Sequence, residues 1–187
     1  MSSSTQAFGL RPIRHRNGAP YNGAFSWYCV PSTDSTALYI GDAVVRATYN
    51  AYSPDGYPYV KQHTAADTTT VGVVVGFAEP VFSDEVYRVA STQRMVMVAD
   101  DPDLIFEILS SASMSATQTG NHGDIVVGTA STITGLSGMT YNASDGTGRA
   151  TLKFERLKPA PDNQWGNNDA HMLLEVSIVE HLQRTVT

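Results

Sequence analysis

Residues 68–109 constrain the fold more than any other part of the chain. They contain three short apolar runs with turn-forming residues between them. The runs are VGVVVGF at 71–77, MVMV at 95–98 and LIFEIL at 104–109; Glu79-Pro80 and Asp100-Asp101-Pro102-Asp103 separate them. Each is shorter than an ordinary helix and rich in Val, Ile or other strand-favouring residues, so each reads as a β-strand. Gly72 and Gly76 flank the tightest run, where glycine inside a strand marks a bend, a bulge or a close backbone approach.

The same pattern recurs along the chain. Strands are expected at 25–30, 37–40 and 43–47, the last two broken at Gly41-Asp42, and again at 86–89, 125–127 and 148–157. Residues 110–123 are expected to form one or two helical turns or a loop. The segment 170–183 is ambiguous between periods of 2 and 3.6; the β-branched VSIV decides it as strand. Many short strands with Gly, Pro and Asn turns point to an all-β fold, a compact β-barrel or jelly-roll-like sandwich with long loops, its topology left open. Residues 25–187 are expected to form one β-rich domain.

Residues 1–24 read differently. Gly9, Pro12, Asn17-Gly18, Pro20 and Asn22-Gly23 break any regular element, so an extended N-terminal arm is expected. The first 33 residues carry Arg11, Arg14 and Arg16 and no acid, on a chain of formal charge −6. The arm is expected to leave the body and lie against a neighbouring subunit. Phe8, Leu10 and Ile13 would anchor it, and the three arginines would meet carboxylates there. In the alternative, the arm folds back and Phe8 and Leu10 cover an edge strand of its own body. Further candidate contacts are Tyr49, Tyr52, Tyr57 and Tyr59 around the 50–58 loop, and Trp165 in the 158–169 loop, since clustered aromatics favour interfaces.

Only 16% of the residues are charged, against about 25% in an ordinary soluble domain. A surface solubilised by Ser, Thr and Asn loses less hydration when a partner covers it. No window is apolar enough to span a membrane, and the start lacks the apolar run of a signal peptide. Cys29 is alone, which excludes an internal disulfide. Three arginines are too few to argue for nucleic acid.

No constellation for catalysis stands out. The five histidines do not share ligand spacing, and His122-x-Asp124 lacks a third ligand. Asp100-Asp101-x-Asp103 is interrupted by Pro102 and reads as a solvated turn rather than a calcium loop. Gly135-Leu136-Ser137-Gly138 misplaces the second glycine of a nucleophile elbow, and no phosphate-binding glycine loop is present. No catalytic residue, cofactor or metal is assigned, and the chain is not expected to be an enzyme.

Several phrases resemble head decoration, or cement, proteins of tailed bacteriophages. They are Gln6-Ala7-Phe8-Gly9-Leu10-Arg11-Pro12, Leu38-Tyr39-Ile40-Gly41-Asp42-Ala43-Val44, Val73-Val74-Val75-Gly76-Phe77 and Asp101-Pro102-Asp103-Leu104-Ile105-Phe106-Glu107. Gly135-Leu136-Ser137-Gly138 and Pro161-Asp162-Asn163-Gln164-Trp165-Gly166 are similar to the same group. The resemblance implies a structural protein on the outer surface of the virion head. Its partner would be the major capsid protein, with self-association as a dimer or trimer and no catalytic residues. A low-copy tail, fibre or head-completion protein and a glycan-binding β module are the alternatives.

Overall fold

A computed structural model describes residues 6–48, 51–78, 85–142, 151–165 and 171–184. Strands β1 (Arg11–His15), β2 (Ser26–Val30), β3 (Ala43–Arg46), β4 (Val60–Gln62), β5 (Gly72–Phe77) and β6 (Arg94–Ala99) come first. They are followed by β7 (Leu104–Leu109), β8 (His122–Gly123), β9 (Ile125–Val126), β10 (Thr140–Tyr141), β11 (Leu152–Leu157) and β12 (Leu173–Ile178). Among the described residues the helical structure is a single 3-10 turn, Ala116–Gln118. The fold is all-β.

The first sheet has the order β1-β7-β12-β11-β8 and the second β2-β6-β5-β3-β4; β9 and β10 form a separate two-stranded ribbon. Every neighbouring pair is antiparallel. Neither large sheet closes on itself, which corrects the expected barrel or jelly-roll-like sandwich. In the second sheet a lone bridge from Cys29 to Tyr59 brings the two ends near each other, but no ladder of hydrogen bonds joins them. Closure removes edges by pairing them, whereas here the edges of the first sheet are kept short or irregular. β8 is two residues long, and β1 carries Pro12 and a bulge between Pro12 and Arg14.

Burial explains the mixture of alternating and continuous apolar runs. Leu104, Phe106 and Ile108 of β7 and Leu174, Val176 and Ile178 of β12 line the inner face of the first sheet. Ala43, Val73 and Ala99 of the second sheet join the same cluster. The other face of that second sheet buries Val44, Val74, Val96 and Val98 in a second cluster with Tyr28, Val30 and Leu38. A sheet apolar on both faces needs continuous rather than alternating hydrophobic residues, as in Val73-Val74-Val75. The two glycines noted above serve distinct ends. A bulge falls between Val74 and Gly76, and a Cβ on Gly72 would strike the Ala99 carbonyl.

Residues 10–15 belong to the body, while the first five residues of the expected arm lie outside the described ones. Residues 11–15, expected in an arm that leaves the domain, form β1 and pair with β7, and Leu10 is buried in the main core. The strands expected at 37–40 and 86–89 reduce to isolated bridges, Leu38 with Arg88 and Ile40 with Leu136. The reason is Arg88, which is fully buried and donates to the carbonyls of Pro31, Asp34, Thr36 and Thr92. A guanidinium that gathers loop carbonyls holds this region as folded loops, so no ladder is needed to satisfy them.

Candidate functional site

The outward face of the first sheet holds the densest charged cluster. Strand parity puts Glu107 of β7 and Glu175 of β12 on this face, and they are direct cross-strand partners. Two like charges placed opposite each other would repel. Both side chains are nonetheless nearly inaccessible, at 2% and 4%. Cations make this arrangement tenable, two for each carboxylate. Arg11 and Lys158 bind Glu107. Arg14 reaches Glu175 at 2.8 Å, and Arg156 engages the same carboxylate with both Nε and a terminal nitrogen at 2.8 and 2.9 Å.

Glu155 of β11 repeats the motif at the side. It accepts from Ser177 Oγ at 2.7 Å, with Lys153 at 3.4 Å and Arg16 at 3.5 Å. Bulges set up these contacts. The irregularity between Phe154 and Arg156 lets both Glu155 and Arg156 engage this charged cluster while Phe154 stays in the core. The β1 bulge likewise puts Arg11 opposite Glu107 and Arg14 opposite Ile105, so that both reach this face.

The electrostatics follow from the geometry. Burial pushes the Glu175 pKa up, but hydrogen bonds from Arg156 and Arg14 outweigh it and hold the group below the ordinary carboxylate value. Glu155 is lowered in the same way, with Ser177, Lys153 and Arg16 overcoming its burial. Lys158 is lowered by burial and then by the Arg11 guanidinium beside it, with Glu175 pulling the other way.

The three arginines are thus brought together, each paired with a carboxylate of its own chain: Arg11 with Glu107, Arg14 with Glu175 and Arg16 with Glu155. Phe8 lies under the Arg11 guanidinium, 4.9 Å from ring centroid to Cζ. Ile13 sits in the β1 bulge, partly buried. Tyr52, Tyr57 and Tyr59 lie in the β3–β4 connection of the other sheet, away from this cluster. Tyr52 is exposed beneath Arg46, Tyr57 is exposed with its amide on Ser53 Oγ, and Tyr59 is half-buried. Tyr49 lies outside the described residues. Trp165 packs edge-on against Phe154 at 6.1 Å.

Sequence reasoning missed Glu107, Glu155, Glu175, Lys153, Arg156 and Lys158. A signal for two of them was present. Glu107 interrupts an otherwise apolar six-residue strand and Glu175 sits among Leu, Val and Ile, and a carboxylate in such a run needs a cation.

Elsewhere, an apolar cavity of about 300 Å³ opens beside Arg11, lined by Phe8, Leu10, Tyr21, Ile40, Val75 and Leu136. Buried Asp42 accepts from Ser137 Oγ at 2.6 Å, the Tyr39 amide and Gln62, an arrangement that ties loops together. Burial raises its pKa, while these hydrogen bonds pull it down. Among the described residues no three metal-ligating side chains converge, and no helix is long and apolar enough to cross a membrane.

No family model, curated protein or solved structure matches the chain.

Proposed function

We propose that the protein is a structural component of a tailed-phage virion that binds the outer surface of the head and strengthens contacts between major capsid protein subunits. The reading starts from the resemblance of its short sequence phrases to head decoration proteins. One observation carries it further: phrases scattered over more than a hundred residues meet at one joint. The Leu10 amide donates to the Gly41 carbonyl at 2.9 Å, and the Gly41 amide to Val74 at 2.8 Å. The Ile40 amide donates to Gly135 at 2.9 Å, and Arg11 pairs with Glu107. Five of the six phrases therefore fall on a connected structural unit. Glycine is required there, since a Cβ on Gly9 would collide with the Gly41 carbonyl and one on Gly41 with the Phe8 carbonyl.

A protein of this kind adds stability to a shell by mass action over many copies, with contact surface in place of a reaction centre. Exposed apolar side chains on tethered turns suit that role. Ile133 is 90% exposed at a turn closed by the Gly135 amide on Ser131 at 2.9 Å and the Ser131 amide on Leu136 at 3.0 Å. Copy number per virion tests the reading. A count near that of the capsid subunits is expected. A ring-like handful would instead make it a tail or head-completion protein, and binding to a glycan array would favour the carbohydrate reading.

A further inference from the structure

We infer that the outward face of the first sheet is a preorganised cationic plate that docks onto a carboxylate-rich protein surface; on the proposed reading, that surface belongs to the head. Each of Glu107, Glu155 and Glu175 is held by two cations, so each unit keeps one positive charge after its internal pairing. Three such units stand side by side on one sheet face of a chain whose formal charge is −6. The excess is presented outward. Glu107 and Glu175 are sunk beneath the cations and Glu155 is half-buried, while the side chains of Arg11, Arg156 and Arg16 are 62%, 53% and 44% exposed. In the turn bordering the face, Asp101 and Asp103 are engaged by His15 and Arg184; Asp162 stands exposed in the turn after β11.

The buried carboxylates do more than neutralise. Arginine and lysine normally lose much rotamer freedom when they bind a partner, and here the carboxylates already restrain them. Such a plate favours an acidic protein patch over a nucleic acid. Three excess charges release few of the counterions condensed on a duplex, so the phosphate-backbone contribution that drives nucleic-acid binding is small here. Among the described residues the strands of this face also turn no Phe, Tyr or Trp side chain outward, Phe106 and Phe154 lying in the core.

The two-to-one arrangement supplies its own test. The triple variant Arg11→Gln, Arg16→Gln, Arg156→Gln cancels the excess, while Lys158, Lys153 and Arg14 still hold the three carboxylates. Its thermal unfolding checks that the fold is kept. Binding of the full-length chain is measured to poly-L-glutamate, to a short DNA duplex and to purified heads assembled without it. The expected result is binding of the wild type to poly-L-glutamate that weakens at least about tenfold between about 50 and about 300 mM salt, with a comparable loss in the folded triple variant. Equal binding by the variant, or tighter binding to the duplex, would overturn the inference. Heads separate the two readings. Decoration by wild type and variant alike removes the plate and leaves the head function standing; charge-dependent binding to poly-L-glutamate with no binding to heads removes the head function and leaves the plate.

Discussion

Glu107 and Glu175 are cross-strand partners at the centre of the first sheet, and both are covered by cations supplied from the two flanking strands and their ends. Breaking a buried ion pair by removing one partner costs more than the pair contributes, because the other charge is left without compensation. Arg14 and Arg156 retain access to water, so part of that cost is relieved. Glu175→Leu is expected to destabilise the protein by about 1–3 kcal/mol in chemical denaturation. Lys153→Gln is expected to cost less than about 1 kcal/mol, because Arg16 and Ser177 still hold Glu155. Equal losses in the two variants would contradict this account.

Gly9 has φ of +72° and packs its Cα against Gly41. An alanine there meets both a disfavoured backbone conformation and a carbonyl in its path. Gly9→Ala is expected to cost about 2–4 kcal/mol, whereas Gly18→Ala, with φ of +92° but open space around it, should cost only about 1 kcal/mol. Comparing the two denaturation midpoints separates collision from conformational strain.

Arg88 satisfies four carbonyls from two loop segments, and lysine cannot reproduce its planar fork. Arg88→Lys is expected to destabilise by about 2–4 kcal/mol. Amide exchange should accelerate first at Leu38 and Ser91, whose amides bond the Arg88 and Asp34 carbonyls. Uniform acceleration across both sheets would rule out this local role.

Stability should fall on mild acidification. Burial lowers the pKa values of His63 and His181 below the ordinary 6.5, despite Asp67 and Asp124 near the first and Asp100 and Asp101 near the second. The unfolded chain therefore takes up these protons at a higher pH than the folded one, and stability drops as pH falls below about 6.5. The depressed values of Glu155 and Glu175 extend the loss below their ordinary 4.5, as pH falls through the folded values. Asp42 acts in the opposite sense, since its raised pKa favours the folded state as it becomes protonated. The midpoint temperature is expected to decrease between about pH 7 and pH 5, and His63→Gln with His181→Gln should flatten that stretch. An unchanged slope would mean that other groups carry it.

The strands of the central stretch were legible because their cause is local. Runs such as Leu104–Leu109 and Gly72–Phe77 combine β-branched or apolar residues with flanking breakers, a local pattern suited to a pleated, buried surface. The last segment is strand for the same reason, with Leu174, Val176 and Ile178 on one face. Whether the sheets close was not legible. Closure depends on which edges meet, and a chain read one segment at a time contains no information on the gap between β2 and β4.

The fate of residues 6–24 was decided by tertiary structure as well. Their turn-rich composition fits an arm in solution, yet β7 offers an unpaired edge, and Glu107 and Glu175 offer carboxylates that need cations. Local sequence determined that Arg11, Arg14 and Arg16 form a basic, acid-free leader. Only the fold placed Glu107, Glu155 and Glu175, distant in sequence, beneath those arginines. A buried charge constrains its partner's chemistry but not its position in the chain.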